Sequence, residues 1–346
     1  MNPKIETRPA PLLRASAQTR IGVSGRVQAL KFNRAGERVP VRVDRSRRAF
    51  QRVWEHQQSN LITDAGMDYA VGQNPSGFAW NQINNYIAVG TSSVEPAVGQ
   101  TSLGAEIART NQTLSFGLNG VASHPEVGAQ EFTRVRAFDF GEANGNLTEF
   151  GGFAVPSAGS ALIRELFRDE IGTAVPITKT SDEQLVIIHT ARLEYAPTSM
   201  TSAGSISITG FGGVAASHMF YRAHGGTYFI QLGSNYGLSP VKTIGSVYDT
   251  QNAVTFPTNI GGATNAVPQY SEVLAYVGGS FQRDFATDYT GQAADEEIRG
   301  FAVWRRDLDA SQSFTVCGWR FDDPAMLLKD KDYRLSATVR FQFARA

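Results

Sequence analysis

Two glutamates stand in the same local sequence. Glu149 opens Glu149-Phe-Gly-Gly-Phe-Ala-Val155, and Glu297 opens Glu297-Ile-Arg-Gly-Phe-Ala-Val303. Paired carboxylates facing each other across one sugar are what glycoside hydrolysis requires. These two occupy equivalent places in separate copies of a motif, so they are not expected to share a cleft. The reading they favour is structural. Each accepts hydrogen bonds from the backbone of a turn or pairs with an arginine, Arg134 or Arg283, because a buried charge is costly unless it is paired. His218 and His224 flank Met-Phe-Tyr-Arg-Ala, with neither the His-x-x-x-His spacing nor the neighbouring cysteine that would suggest a metal. Cys317 lies in Phe314-Thr-Val-Cys-Gly-Trp319, without a histidine near it, and reads as a core cysteine on a strand. Acidic runs at Asp288, Asp295-Glu-Glu297, Asp322-Asp323 and Asp330-Lys-Asp332 lack the twelve-residue ligand spacing of an EF-hand and read as solvated loops. There is no phosphate-cradling glycine loop ending in Lys-Ser/Thr and no Gly-x-Ser-x-Gly elbow. The residues therefore predict no enzyme, no cofactor and no metal. Asn111-Gln-Thr113 and Asn146-Leu-Thr148 match the glycosylation pattern, which matters only to a secreted chain.

The densest cationic segment is Arg45, Arg47, Arg48 and Arg52, a candidate docking arm. Net charge is zero, but residues 1–56 hold 13 Lys/Arg against 4 Asp/Glu, and the remainder holds 19 against 28. Opposite fields at two ends orient subunits or draw the basic end to an acidic neighbour. With one aromatic pair, Phe50 and Trp54, in the basic segment, stacking platforms for nucleic acid are few, and nucleic acid is not expected as a partner.

The sequence landmarks of the elements that must position these residues occur twice: Phe132-Thr-Arg134 returns at Phe281-Gln-Arg283, Glu149 to Val155 at Glu297 to Val303, Pro176 to Leu185 at Met326 to Leu335, and Tyr86 to Gly90 at Tyr228 to Gly233. The landmarks keep their order, which predicts a duplicated module. Gly 34, Phe 21 and Tyr 11, with many Val, Ile and Thr, favour strands and tight turns. Residues 1–20 read as an extended arm, disordered alone or ordered against a neighbour. Ile21 to Val43 reads as a hairpin turning at Asn33-Arg-Ala-Gly36, Ser46 to His56 as a short amphipathic helix, and Thr63 as the cap of a further helical turn. Thr101 to Ala108 fits either helical turns or an extended loop. Phe132–Phe140 and Leu147–Val155 read as a hairpin, and Leu185–Tyr195 as a strand with Leu185, Ile187, His189, Ala191, Leu193 and Tyr195 on one face and Thr190, Arg192 and Glu194 on the other. Ser205 to Gly210 reads as the strand opening the second copy, and Ser234 to Ser271 as long surface loops. No apolar run is long enough for a membrane helix, so no membrane is expected. The first residues lack the apolar core of a signal peptide, and the single cysteine points to a reducing compartment.

One series of short motifs, in order, carries a resemblance: Asn60-Leu-Ile-Thr-Asp-Ala-Gly-Met-Asp68, Tyr86 to Thr91, Thr101 to Arg109, Gly145 to Phe153, Arg164-Glu-Leu-Phe167 and Ile177-Thr-Lys-Thr180. Over about residues 60–195 this resembles a module of tailed-bacteriophage virion proteins described as tail, tail-fibre or tail-collar proteins. The resemblance implies a structural protein of the virion, assembled in the host cytoplasm as a trimer or ring, whose partners are copies of itself and other virion proteins. The alternative is a carbohydrate-binding receptor adhesin, with Tyr221, Tyr228 and Tyr236 around a glycan groove, or a head-surface decoration protein. The expected fold is all-β: two tandem related β-sandwich (jelly-roll-like) modules with a few short helices and an N-terminal basic arm. The expected division is 1–60 for the arm, hairpin and short helix, 61–200 for module 1 and 201–346 for module 2.

Overall fold

A strand of 22 residues, β1 (Leu12–Asn33), organises the computed structural model of the chain. The structure describes residues 12–44, 51–53, 55–72, 82–114, 119–124, 128–194, 202–208, 212–220, 236–242, 270–289, 296–306, 313–321, 327–329 and 334–346. In chain order β1 is followed by β2 (Arg38–Val39), β3 (Arg42–Asp44), β4 (Gln51–Val53), β5 (His56–Ser59), β6 (Leu61–Ile62) and the helix α1 (Asp64–Gly72). Then come β7 (Tyr86–Gly90), β8 (Glu106–Thr110), β9 (Gly120–His124), β10 (Ala129–Phe138), β11 (Gly145–Leu147), β12 (Glu149–Phe153), β13 (Ile163–Leu166), β14 (Ile177–Lys179) and β15 (Glu183–Glu194). The remainder is β16 (Ser202–Ile208), β17 (Gly212–Phe220), β18 (Tyr236–Lys242), β19 (Tyr270–Val273), β20 (Gln282–Tyr289), β21 (Glu296–Arg306), β22 (Ser313–Phe321), β23 (Leu327–Lys329) and β24 (Arg334–Arg345). The described residues are thus predominantly β, as composition implies.

β1 serves two sets of strands along its length. Its first half, Leu12 to Val23, runs parallel to β24, and its second half, Gly22 to Asn33, runs antiparallel to β15. At Gly22 and Val23 both partners are present, so they lie on opposite edges of β1. β16 overlaps β24 at Ala15 and Ser16 and therefore shares β15's edge. β5 and β2 overlap β15 and lie on β24's edge. The sheet continues outward through β15, β10 and β9 and, from β24, through β20 and β19. A separate five-stranded sheet runs β6-β13-β12-β7-β8.

Alternation fixes the faces. Ile21, Val23, Val27 and Ala29 of β1 are buried, whereas Arg20 and Arg26 are exposed. The buried row joins Leu185, Ile187, Ala191 and Leu193 of β15 and meets Ile87, Val89, Phe150 and Ile163 of the five-stranded sheet. Met67, Ala70 and Val71 of α1 close one side. The same cluster runs on to Phe285, Val339, Phe341 and Phe343, with the Phe285 and Phe341 rings edge to face at 5.4 Å. β15 is buried on both faces: Val186 and Ile188 form a smaller cluster with Val135 and Ala137, covered by Leu30 and Phe32.

The turn at Asn33 forms as expected, but only Arg38 and Val39 run back along β1, and Arg42–Asp44 pairs with β4 instead. Asn33 Oδ1 accepts from the backbone N–H of Ala35 and Glu37, and Gly36 takes φ of +76°. Four other expectations change. Residues 12–20 are extended, but as a strand within the chain's own sheet and not as an arm: they pair throughout with β24 and at Ala15 and Ser16 with β16. Helical spacing of apolar residues at 46–56 does not yield a helix at 51–53 or 56: β4 pairs with β3 and β5 pairs with β1, so sheet pairing overrides a short periodic signal. Leu147–Val155 does not fold back on Phe132–Phe140; β12 pairs with β7 and β13 in the other sheet, and β10 pairs with β15. Within 234–271, Tyr236–Lys242 is the strand β18, paired with β21. Of the two readings of 101–108, the extended one holds, since Glu106–Thr110 is β8.

Candidate functional site

Glu149 and Arg164 form the best-organised charged group among the described residues. Glu149 opens β12 opposite Leu166, and Arg164 lies opposite Gly151, so the two side chains are diagonal neighbours on one face of an antiparallel pair. They are 0% and 1% exposed, and Arg164 Nη2 lies 2.9 Å from Glu149 Oε2. Glu149 Oε1 accepts from the backbone N–H of Ala105 at 2.8 Å and Ser92 at 3.3 Å, and Oε2 from Gly104 N–H at 3.1 Å. Arg164 Nη2 also donates to Val94 O, and Nη1 to Glu95 O and to Gln100 Oε1. With Nε on Glu149, all five N–H donors of the guanidinium are engaged. The pair pins the 91–105 loop to the sheet. Gly104 and Gly90 permit the close approach: a Cβ on Gly90 would lie 2.5 Å from Glu149 Oε1.

Two lysines play a similar part near the start of β15. Lys179 is buried, and its Nζ donates to Asp139 O, Asn144 Oδ1 and Thr180 O, closing the turn of residues 139–145. Burial lowers its pKa, against the pull of Glu183, Glu142 and Asp139. Lys31 donates to Thr178 O at 2.7 Å and pairs with Glu183 at 3.0 Å.

His189, fully buried on β15, is held by two amides. Asn84 Nδ2 donates to Nδ1 at 2.8 Å, and Nε2–H donates to Asn60 Oδ1 at 3.0 Å. Burial pushes its pKa from 6.5 down to about 3, so the ring is neutral. Gly25 makes room for Asn60, whose Oδ1 would stand 2.4 Å from a Cβ there. His56, also buried, lies edge-on to Phe167 at 5.8 Å, and burial lowers its pKa too.

Two further places are organised at the surface. The turn at Asp169-Glu170-Ile171-Gly172 is cross-linked: Asp169 Oδ1 accepts from the N–H of Ile171 and Thr173, and Arg168 Nη1 donates to Gly172 O while the same guanidinium pairs with Glu165 and Glu95. Gly172 takes φ of +86°. Ile171 at the tip is 86% exposed. The second is an open cleft of about 360 Å³ where β1, β15 and β24 meet, lined by Arg20, Gly22, Glu194, Ala344 and Arg345.

Of the residues singled out from sequence, Glu149 does take backbone hydrogen bonds, but its ion-pair partner is Arg164, not Arg134. Arg134 sits on β10 opposite His189, in the other sheet. Arg283 is buried on β20 with its guanidinium 5.7 Å from the Tyr276 ring centroid. Glu297 is a β21 residue opposite Leu328, and its side chain lies outside the described residues. Arg45, Arg47 and Arg48 lie outside them as well, and Arg52 is described only as backbone of β4. His224, Tyr221 and Tyr228 are also outside; His218, Tyr236 and Cys317 are strand residues of β17, β18 and β22. Arg164 and His189 were visible as types, but their partners depend on which strands pair. Among the described residues no group of three or more His, Cys, Asp or Glu is placed to hold a metal ion. No described helix is long and apolar enough to cross a membrane. No protein-family model matches the chain, and no curated protein or solved structure matches it.

Proposed function

We propose that the chain is a structural subunit of a bacteriophage virion, tail-associated as a collar, ring, baseplate or fibre-attachment protein, and that it acts by subunit assembly, not by turnover. The observation that supports a structural role for Glu149 and Arg164 is the closed state of the pair. Every guanidinium donor and both carboxylate oxygens are taken up by each other and by the 91–105 loop, so this pair holds a loop to a sheet. The virion assignment rests on the ordered motifs of residues 60–195.

The subunit is read as two copies of one β module joined by β1. Strand spacing supports this: β7, β9, β13 and β14 begin at 86, 120, 163 and 177, and β18, β19, β22 and β23 begin at 236, 270, 313 and 327, each 150 residues later. Partners correspond as well. β12 lies between β7 and β13 as β21 lies between β18 and β22, and β10 pairs with β15 as β20 pairs with β24. On this reading the counterpart of Tyr86–Gly90 is Tyr236–Lys242, a few residues beyond the segment that sequence landmarks select.

Mass spectrometry of purified particles tests the assignment. The expected result is the chain present at a fixed copy number that is a multiple of a ring symmetry. Its absence from particles, or turnover of a polysaccharide by the purified chain, would overturn it.

A further inference from the structure

We infer that Arg134 and Arg136 form a binding site for a small tetrahedral oxyanion of the phosphate class, at the rim between the two sheets. The site lies apart from Glu149 and Arg164 and does not depend on the virion reading.

Both residues belong to β10, whose register with β15 is unbroken from Ala129 to Phe138. Alternation puts Phe132, Arg134, Arg136 and Phe138 on one face of the strand. Phe132 and Phe138 join the main core, so that face is the inner one, whereas Val135 and Ala137 belong to the smaller cluster on the other side. Cations two residues apart on one face of a strand have Cα atoms about 7 Å apart and repel each other. Buried charges are ordinarily paired with an opposite charge. Here no carboxylate answers either guanidinium. Arg134, half-buried, makes no hydrogen bond or ion pair among the described residues. Arg136, buried, is anchored by neutral oxygens: Nε donates to Asn85 O at 2.7 Å, and Nη1 to Thr113 Oγ1 at 3.1 Å and Val135 O at 3.0 Å. Its Nη2 donates to none of the described residues and is not sealed from solvent. Burial, then the charge of Arg134, lower the Arg136 pKa, and only the Tyr86 phenol opposes them.

The neighbouring titratable groups are engaged elsewhere. Glu131 lies on the outer face of β10 and pairs with Arg192. His189, opposite Arg134, is neutral, and both its ring nitrogens are taken by Asn60 and Asn84. The rim is also accessible. β9 accompanies β10 only from Ala129 to Thr133, so no described strand continues beside Arg134 and Arg136 on that edge. Val121, opposite Phe132, is 40% exposed. Arg134 thus offers a whole planar fork and Arg136 the hydrogens of Nη2, with the Tyr86 phenol close by. A single fork satisfies a carboxylate, but a phosphate group brings several oxygens and a charge of about −1.5 to −2, which matches two guanidiniums. Because Arg136 also holds Asn85, just before β7 of the five-stranded sheet, an anion on the pair relieves a repulsion where the two sheets meet.

Thermal melting of the full chain tests the site, with phosphate replacing chloride at constant pH and ionic strength so that screening is unchanged. Inorganic phosphate and glycerol phosphate are titrated separately. A saturable rise in melting temperature is expected with one or both, the tighter one naming the source, and isothermal titration calorimetry should give one site per chain. The general stabilisation that phosphate gives by exclusion does not saturate and does not depend on Arg134. Acetate is expected to bind at least about tenfold more weakly. Arg134→Gln is expected to weaken phosphate binding by at least about tenfold. In chloride alone the same variant should melt at or above the wild-type temperature, because it removes a repulsion and breaks no pairing; an arginine with a structural role would show the opposite. Arg134→Lys, which keeps the charge without the fork, should bind with intermediate strength, and Arg192→Gln on the outer face should keep the wild-type response. No saturable response in the wild type, a response kept in Arg134→Gln, or acetate bound as tightly as phosphate overturns the inference.

Discussion

Replacing Arg164 by alanine would strand Glu149 as a buried carboxylate with three backbone donors and no cation. Breaking a buried pair from one side costs about 3–5 kcal/mol, a large part of the net stability of a domain. Urea denaturation of Arg164→Ala should therefore show a markedly lower midpoint, and limited proteolysis should cut within 91–105, where Val94, Glu95 and Gln100 lose their anchor. Arg134→Ala should leave that loop protected. His189 supplies a different test. Its folded pKa is near 3 and its unfolded pKa near 6.5, so as pH falls through that window the unfolded chain takes up a proton that the folded chain refuses. Stability then falls with pH at up to about 1.4 kcal/mol per unit, or roughly 2–3 kcal/mol between pH 6.5 and 4.5. His56, also lowered, adds in the same direction. Burial raises the Glu183 carboxyl, but the Thr180 N–H and Lys31 outweigh it and hold it below 4.5, so its own loss begins under that window. Chemical denaturation at several pH values should give a shallower slope for His189→Gln than for the wild type; equal slopes would show that His189 is not the group responsible.

The helix α1 joins the two halves of the chain through its acidic residues. Thr63 caps it, with Oγ1 accepting from Gly66 N–H at 3.0 Å. One turn on, Asp68 accepts from Tyr276 OH at 2.5 Å and from Gly279 N–H at 2.8 Å, and Tyr276 OH accepts in turn from Phe281 N–H. Burial, then Asp68, push the Tyr276 phenol up, so it stays a donor at any working pH. Asp68→Ala should cost about 1–2 kcal/mol for the charged hydrogen bonds lost and speed amide exchange at Gly279 and Phe281, with little change in β7 or β12. The cap was legible because Thr-Asp-Ala-Gly-Met places a hydroxyl three residues before an N–H that needs an acceptor. The face carrying Leu185, Ile187, Ala191 and Leu193 was legible because it packs against the other sheet, whereas the burial of Val186 and Ile188 on the opposite face follows from their contact with β10. The strand character of 51–53 and 56 was not, because apolar residues at 49, 50, 53 and 54 satisfy a helical period over too few turns to outweigh pairing with β3 and β1. The same limit hid the partner of Glu149. A carboxylate opening a strand shows that it needs a cation, but only the pairing of β12 with β13 makes Arg164 its diagonal neighbour.

At the scale of the whole molecule the decisive strand is β1, because each of its halves completes a different part of the sheet. The observed strand from Leu12, where the sequence suggests an arm over residues 1–20, makes a specific prediction for a variant beginning at Ser24, which lacks that segment and the first three residues of the hairpin. A free arm could be removed without effect on the melting temperature. In the structure its removal leaves the whole of β24 from Arg334 to Arg345 without its parallel partner, and frees β16 at Ile208 and Ser207. It also strips Ile21 and Val23 from a cluster that includes Phe341 and Phe343. Two such apolar side chains are worth about 3–6 kcal/mol by area, against a net stability of about 5–15 kcal/mol for a typical domain. The exposed edge of β24 is a template for pairing with other chains. The truncated chain should therefore express as insoluble protein or melt far below the full chain. A peptide of residues 12–23 added during refolding should recover soluble material by re-forming the parallel pair, whereas a peptide with Ile21 and Val23 replaced by aspartate should not. Because β15 takes only Gly22 to Asn33 from β1 and is paired with β10 on its other edge, amide exchange in the residual soluble fraction should stay slow in β15 and β10 and become fast in β24 and β20. Protection lost evenly from both halves would mean that the core shared across β1 folds and unfolds as one unit.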